Sequence, residues 1–139
     1  MAIRIFIDQG HNPVNPNAGA EGNGYREQDI VYRVGVALNG LLGDDPNFSS
    51  RLSRTSPGVV LGVTNTDSLR LRVAGAVAFG ADLFLSIHTN AAASPRAGGS
   101  EALVFSLSSP ACHAQLRIPT FPTASRAWGI RPQTGLQAD

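Results

Sequence analysis

Apolar and polar positions along the chain sort into a few clear stretches. Ile3 to Ile7 is dominated by β-branched and aromatic residues and reads as a first strand. It runs into Asp8-Gln9-Gly10-His11-Asn12-Pro13, a cluster of turn formers. Residues 8 to 24 are rich in Gly, Asn and Pro and have no apolar period, which predicts a long loop, and loops of this length are usually functional or disordered. From Tyr25 the period changes: Ile30, Val34, Ala37, Leu38, Leu41 and Leu42 recur at helical spacing, and Gly43 is a stop. Asp44 to Ser50 reads as a loop, Arg51 to Arg54 as a short strand, and Ser56 to Asn65 as irregular. Thr66 or Asp67 is placed to cap a second helix through Phe79, with Leu69, Val73, Ala76 and Val77 as its buried stripe and Gly80 as its end. Leu83 to Ile87 is an apolar run of strand length that closes on His88, and Ala102 to Leu107 reads as a further strand. Beyond Ser108, Pro110, Pro119, Pro122 and Pro132 break any helix of useful length, and the tail from 108 to 139 is expected to be irregular.

Strand, helix, strand, helix, strand, strand is the order of an α/β fold. The expectation is a central, mostly parallel sheet flanked by helices, in a single domain over residues 1–139 whose C-terminal part is incomplete or irregular. In such sheets ligands gather at the carboxyl ends of the strands, and two of the 3 histidines lie there.

Composition narrows the classes. With 139 residues and 42% hydrophobic content the chain fits one ordinary globular domain. A net charge of +1 gives no global attraction to nucleic acid. No apolar run is long enough to span a bilayer, so membrane insertion is not expected. Met1 leads straight into the first strand with no signal peptide. The single cysteine, Cys112, excludes an intrachain disulfide, and the pair Cys112-His113 reads as a surface segment.

The candidate chemistry lies in His11, Glu27 and His88. If the first strand and the 83–87 strand are parallel neighbours, both histidines meet at one sheet edge, and Glu27, at the start of the first helix, can reach back to it. Two histidines and a carboxylate form a set used for catalytic zinc, with the fourth position open. Each residue also has a plainer reading, the histidines as loop hydrogen-bonders and the glutamate as a helix-start residue. No short spacing of the HExxH kind binds the three together. Gly22-Asn23-Gly24 is not a phosphate loop, since no Gly-Lys-Ser/Thr follows.

The wording around these residues adds to their chemistry. Ile5-Phe6-Ile7-Asp8-Gln9-Gly10-His11-Asn12-Pro13 resembles the opening I-D-x-G-H motif of the amidase-3 family of N-acetylmuramoyl-L-alanine amidases. The stretch Ala18 to Glu27 is similar to that family's glycine-rich loop and zinc glutamate, and Asp82 to Ala91 to its A-D-x-F-x-S-I-H-x-N segment. Leu52-Ser53-Arg54, Ser68-Leu69-Arg70-Leu71-Arg72 and Gly99-Ser100-Glu101 are similar to elements between and after these, so the resemblance covers residues 3 to 107.

The resemblance implies a Zn2+ site of His11, Glu27 and His88, with Glu27 preferred to Glu21. It implies hydrolysis of the amide between N-acetylmuramic acid and L-alanine in peptidoglycan, with the metal polarising the carbonyl. It also implies a place in the cell wall or outside the cell. The family's final strand and its catalytic glutamate have no counterpart here, since no glutamate follows Glu101. Glu101 is the stand-in for that base, and the loss of general acid–base help costs about 10²–10⁴-fold in rate. A metal- and peptidoglycan-binding domain with impaired catalysis is therefore the alternative. Asn90 is expected beside the substrate as a loop organiser, and Arg70 and Arg72 face either stem-peptide carboxylates or solvent. A sheet without its last strand leaves an unpaired edge, from which self-association is expected.

Overall fold

A computed structural model of the 139-residue chain describes residues 1–89, 101–104 and 129–132. It falls into two compact units, Met1–Ala91 and Ala92–Asp139. The first holds β1 (Ile3–Gln9), the two-residue strands β2 (Glu21–Gly22) and β3 (Tyr25–Arg26), α1 (Glu27–Gly43), β4 (Phe48–Leu52), α2 (Asn65–Phe79) and β5 (Leu83–Ile87). The second holds β6 (Glu101–Val104) and β7 (Gly129–Pro132), which pair in parallel.

The main sheet has the order β4-β1-β5, and both pairings are parallel. β1 is central, and Ile5 to Gln9 are buried. Its residues alternate between the two helices, as the two-residue period of a strand requires. Phe6 packs with Ala76 and Phe79 of α2, Asp8 pairs with Arg72 of the same helix, and Gln9 lies against Gly35 of α1. The helices therefore cover opposite faces. The connection through α1 leads from β1 to β4, and that through α2 crosses to β5 on the other side of β1. The strand order thus reverses at the carboxyl end of β1, where a crevice opens in sheets of this kind.

Several expected boundaries move. β4 starts at Phe48, inside the stretch expected to be loop, because Phe48-Ser49-Ser50 lacks the β-branched bias that marks a strand. The α2 cap is Thr64, whose hydroxyl accepts from the Asp67 amide, while the Asp67 carboxylate accepts from the Val63 amide. Gly80, at φ 67°, ends the helix in the left-handed region. The short strand β7 lies in a stretch expected to be irregular; its proline stands last, where a missing ladder donor is tolerated.

The expected helix stripes also change. Of the α2 stripe Ala76 is buried as expected, but Leu69, Val73 and Val77 are exposed, and the helix buries Ser68, Arg72 and Phe79 instead. In α1, Ile30, Val34 and Leu41 are exposed, whereas Glu27, Gln28, Val31 and Gly35 are buried. Among the described residues no helix is long and apolar enough to cross a membrane.

Candidate metal centre

Gln9 of β1 is in register with Ile87 of β5, and the Gly10 amide continues the ladder to the Ile87 carbonyl at 3.1 Å. His11 and His88 therefore leave two neighbouring parallel strands at the same end. Glu27 arrives from another direction. The β2–β3 hairpin turns the long loop back, the Glu27 amide bonds the Ala20 carbonyl, and α1 begins there. At that position the helix dipole favours a carboxylate.

The three side chains converge. His88 Nδ1 lies 3.1 Å from His11 Nε2 and 3.2 Å from Glu27 Oε1, and His11 Nε2 lies 3.3 Å from Glu27 Oε2. The rings meet edge to face. Zinc bonds of about 2.0–2.1 Å in tetrahedral geometry separate neighbouring donors by about 3.3–3.4 Å, so these spacings suit one ion. The donor chemistry also fits, two nitrogens and an oxygen, and the group forms a potential metal-holding set among the described residues. His88 is 46% exposed at its side chain, against 20% for His11 and 6% for Glu27, so the cluster opens to solvent on the His88 side.

The surroundings fix each donor. The Thr89 amide donates to Glu27 Oε1 at 2.8 Å and the Ala20 amide to Oε2 at 3.2 Å, which leaves each oxygen a free lone pair for the cluster. Burial pushes the Glu27 carboxyl up, but those two amides and the two histidines outweigh it and hold the group below its ordinary value. His11 has φ 64°, a left-handed conformation that a non-glycine residue keeps only when its surroundings impose it. Its Nδ1 is buried without a hydrogen-bond partner in the described structure. With that nitrogen protonated, the Nε2 lone pair faces the cluster.

Two glycines make room. A Cβ on Gly10 would stand 2.5 Å from His88 Cε1, and one on Gly19 would stand 2.9 Å from both His11 Cδ2 and the Glu27 Cβ. Glu21 stays outside the cluster, bonded to Arg26 and Gln28.

Arg72 corrects an expectation. It does not face substrate: its side chain is 2% exposed and its donors are taken inside the fold. Nη1 bonds Asp8 Oδ1 at 2.6 Å and the Gln9 carbonyl at 2.7 Å, and Nη2 bonds the His11 carbonyl at 2.6 Å and Asn12 Oδ1 at 3.1 Å. Ser86 donates to the other Asp8 oxygen at 2.8 Å. Asn12 is fully buried and clips the loop to residue 61 in both directions, donating to the Leu61 carbonyl and accepting from its amide. Gln9 bonds both the amide and the carbonyl of Arg54. The Arg54 guanidinium in turn donates to the Gln28 carbonyl and covers the Tyr32 ring; burial, then the like charge of Arg72, push it below its ordinary value.

Sequence reasoning missed these supporting roles of Asp8, Gln9, Asn12 and Ser86. The available signal was two adjacent polar residues, Asp8 and Gln9, directly after the apolar run Ile5-Phe6-Ile7. Asn90, Cys112 and His113 lie outside the described residues, and for Glu101 the structure describes the backbone, as the first residue of β6.

The sequence profile of a family described as N-acetylmuramoyl-L-alanine amidase (Amidase_3) matches residues 5–127. The chain is 42% identical over 90 residues to the N-acetylmuramoyl-L-alanine amidase CwlM of Bacillus licheniformis, an alignment that spans 64% of this chain and 32% of that protein. It is 40% identical over 89 residues to a sporulation-specific N-acetylmuramoyl-L-alanine amidase of Bacillus subtilis (strain 168), across 63% of this chain and 31% of the relative. It thus spans about a third of the length of these relatives. Among solved structures, an N-acetylmuramoyl-L-alanine amidase from Clostridium difficile 630 superposes with a TM-score of 0.61 at 27% identity, covering 73% of this chain and 52% of that one.

Proposed function

Since the chain belongs to the amidase-3 family of N-acetylmuramoyl-L-alanine amidases, we propose that it is a zinc-dependent hydrolase of the amide that joins N-acetylmuramic acid to L-alanine in peptidoglycan. The carrying observation is the convergence of His11 Nε2, His88 Nδ1 and the Glu27 carboxylate at 3.1–3.3 Å. In this reading the three residues hold the ion, residues 1–139 act as one catalytic domain, and the site of action is the cell wall.

When bound, zinc supplies Lewis-acid activation of the amide carbonyl and of water. The protein's own residues prepare that chemistry. The Thr89 and Ala20 amides keep the Glu27 oxygens pointed at the cluster. The low proton affinity of Glu27 keeps it ionised, so no proton has to leave before a cation enters. The open His88 side leaves room for an extended substrate to approach. Proton transfer to the leaving amine needs a further acid–base group, and Glu101, the first residue of β6, is our candidate. A second reading is a domain that binds metal and peptidoglycan without efficient turnover.

The test is zinc content beside peptide release from purified peptidoglycan, for the wild type and His88→Ala. Zinc that disappears in the variant, with peptide released by the wild type, is the expected result. Zinc without release favours the second reading, and a wild type that takes up no zinc refutes both.

A further inference from the structure

We propose that Arg72 is the positioning residue of this metal centre. From inside the fold it fixes the loop that presents His11 and, through Asp8, ties that loop to the strand that presents His88. The inference rests on the metal-site reading above and deepens it.

The geometry has three parts. First, the guanidinium takes both peptide carbonyls that frame Gly10 and His11, those of Gln9 at 2.7 Å and His11 at 2.6 Å. These bonds hold the peptide planes at the two ends of the Gly10-His11 pair, around the left-handed His11 at φ 64°, and so the direction in which its imidazole leaves the chain. Second, Asp8 accepts from Arg72 with one oxygen and from Ser86 with the other. Ser86 stands two residues before His88 on β5, so a single network centred on the buried Arg72–Asp8 pair touches both histidine-bearing segments and neither imidazole. Third, the arrangement needs a planar fork. Nη1 and Nη2 each bind two acceptors on different residues, which a lysine ammonium on one flexible stem does not reproduce. At 2% exposure Arg72 does not reach a substrate, so its influence passes through the loop.

A purely structural role predicts something different. Phe79 is also buried on the same helix, yet it packs on Phe6 and Ala76, away from the loop. Phe79→Leu is therefore the control that lowers stability without touching the site.

The experiment uses the full chain stripped of metal. Zinc affinity is read by competition with a chromophoric chelator, the cobalt(II) absorption spectrum reports donor geometry, and the thermal midpoint is measured in EDTA. Arg72→Lys is expected to weaken zinc binding about 10–100-fold, the range for losing an outer partner of a ligand, and to alter the cobalt(II) bands. Phe79→Leu is expected to lower the midpoint while the folded chain keeps wild-type affinity and spectrum. Wild-type affinity and spectrum in Arg72→Lys would overturn the proposal and leave the metal site standing, whereas a wild type that binds neither ion would refute the metal site itself. Should Arg72→Lys fail to fold, Ser86→Ala carries the test from an exposed position on β5. A several-fold loss of zinc affinity supports the tie to His88, and unchanged affinity refutes it.

Discussion

A methyl group added at Gly10 interrogates the site from its backbone side. The Cβ of Gly10→Ala would lie 2.5 Å from His88 Cε1, 2.7 Å from Nε2 and 2.8 Å from Nδ1. Ordinary carbon contacts begin near 3.5 Å, so the ring has to retreat by about 1 Å. Metal–donor distances tolerate about 0.2 Å, so Nδ1 leaves the range in which it can share an ion with His11 and Glu27. The backbone itself accepts the change, because Gly10 is not among the residues with positive φ. The His88 side chain, 46% exposed, has solvent to swing into. The metal-free protein should consequently change in stability by no more than about 1 kcal/mol. Zinc affinity should fall by at least the roughly 10–100-fold that follows loss of an outer partner. Chelator competition measures the second quantity, and thermal unfolding in EDTA the first. Wild-type zinc affinity in Gly10→Ala would refute the reasoning, because it would mean that His88 binds from a position this packing does not define.

Two further perturbations separate the scaffold from the site. Gly40→Ala, at an exposed α1 position where the new Cβ meets nothing within 4 Å, should stabilise the chain by about 0.5–1 kcal/mol; urea unfolding should show a higher midpoint at an unchanged slope, and a lower midpoint would contradict the helical placement. Glu27→Gln addresses pH. The folded-state pKa of Glu27 lies below its ordinary value of 4.5, so its stabilising contribution is complete above that value and is lost as pH falls through the lowered one. In EDTA the stability advantage of wild type over Glu27→Gln should hold at neutral pH and close under acid, and an advantage that persists in strong acid would show that the carboxylate is not held ionised by Thr89, Ala20 and the histidines.

Much of the scaffold was legible because its elements announce themselves chemically. Ile3–Ile7 and Leu83–Ile87 are apolar runs of strand length, and both are strands. The helices appear where the period changes to 3.6, and Gly80 ends α2 as read. β4 was only half legible, since Phe48-Ser49-Ser50-Arg51-Leu52 owes its strand geometry to pairing with β1 and not to its own residues. The β2–β3 hairpin has two residues on each side and no period at all; the Glu27 amide bonded to Ala20 and the pairing of Glu21 with Arg26 make it visible only in three dimensions. The strand ends brought His11 and His88 toward one sheet edge, but the set of His11, Glu27 and His88 was legible only through the motifs shared with the amidase-3 family. Glu27 is preferred to Glu21 on the resemblance, and the hairpin supplies the physical reason: it sends one carboxylate inward and leaves the other with Arg26 and Gln28.

The inward face of α2 shows why the supporting residues stayed hidden. Ranking positions by hydrophobicity turns Leu69, Val73 and Val77 toward the sheet, yet the helix turns Ser68, Arg72, Ala76 and Phe79 there. The end of β1 decides this. Asp8 is a buried carboxylate on the α2 side, and the Gln9 and His11 carbonyls need donors close by. Rotating α2 to bury one more aliphatic side chain would gain about 1.5–3 kcal/mol. It would leave a buried charge without its partner, at about 3–5 kcal/mol, and two carbonyls without donors at about 1–3 kcal/mol each. The polar demand exceeds the apolar gain. Orientation of the second helix therefore follows from the loop that carries His11, and the loop in turn keeps its left-handed histidine because the helix supplies the arginine that holds it. For this reason a period computed along α2 alone points to the wrong face.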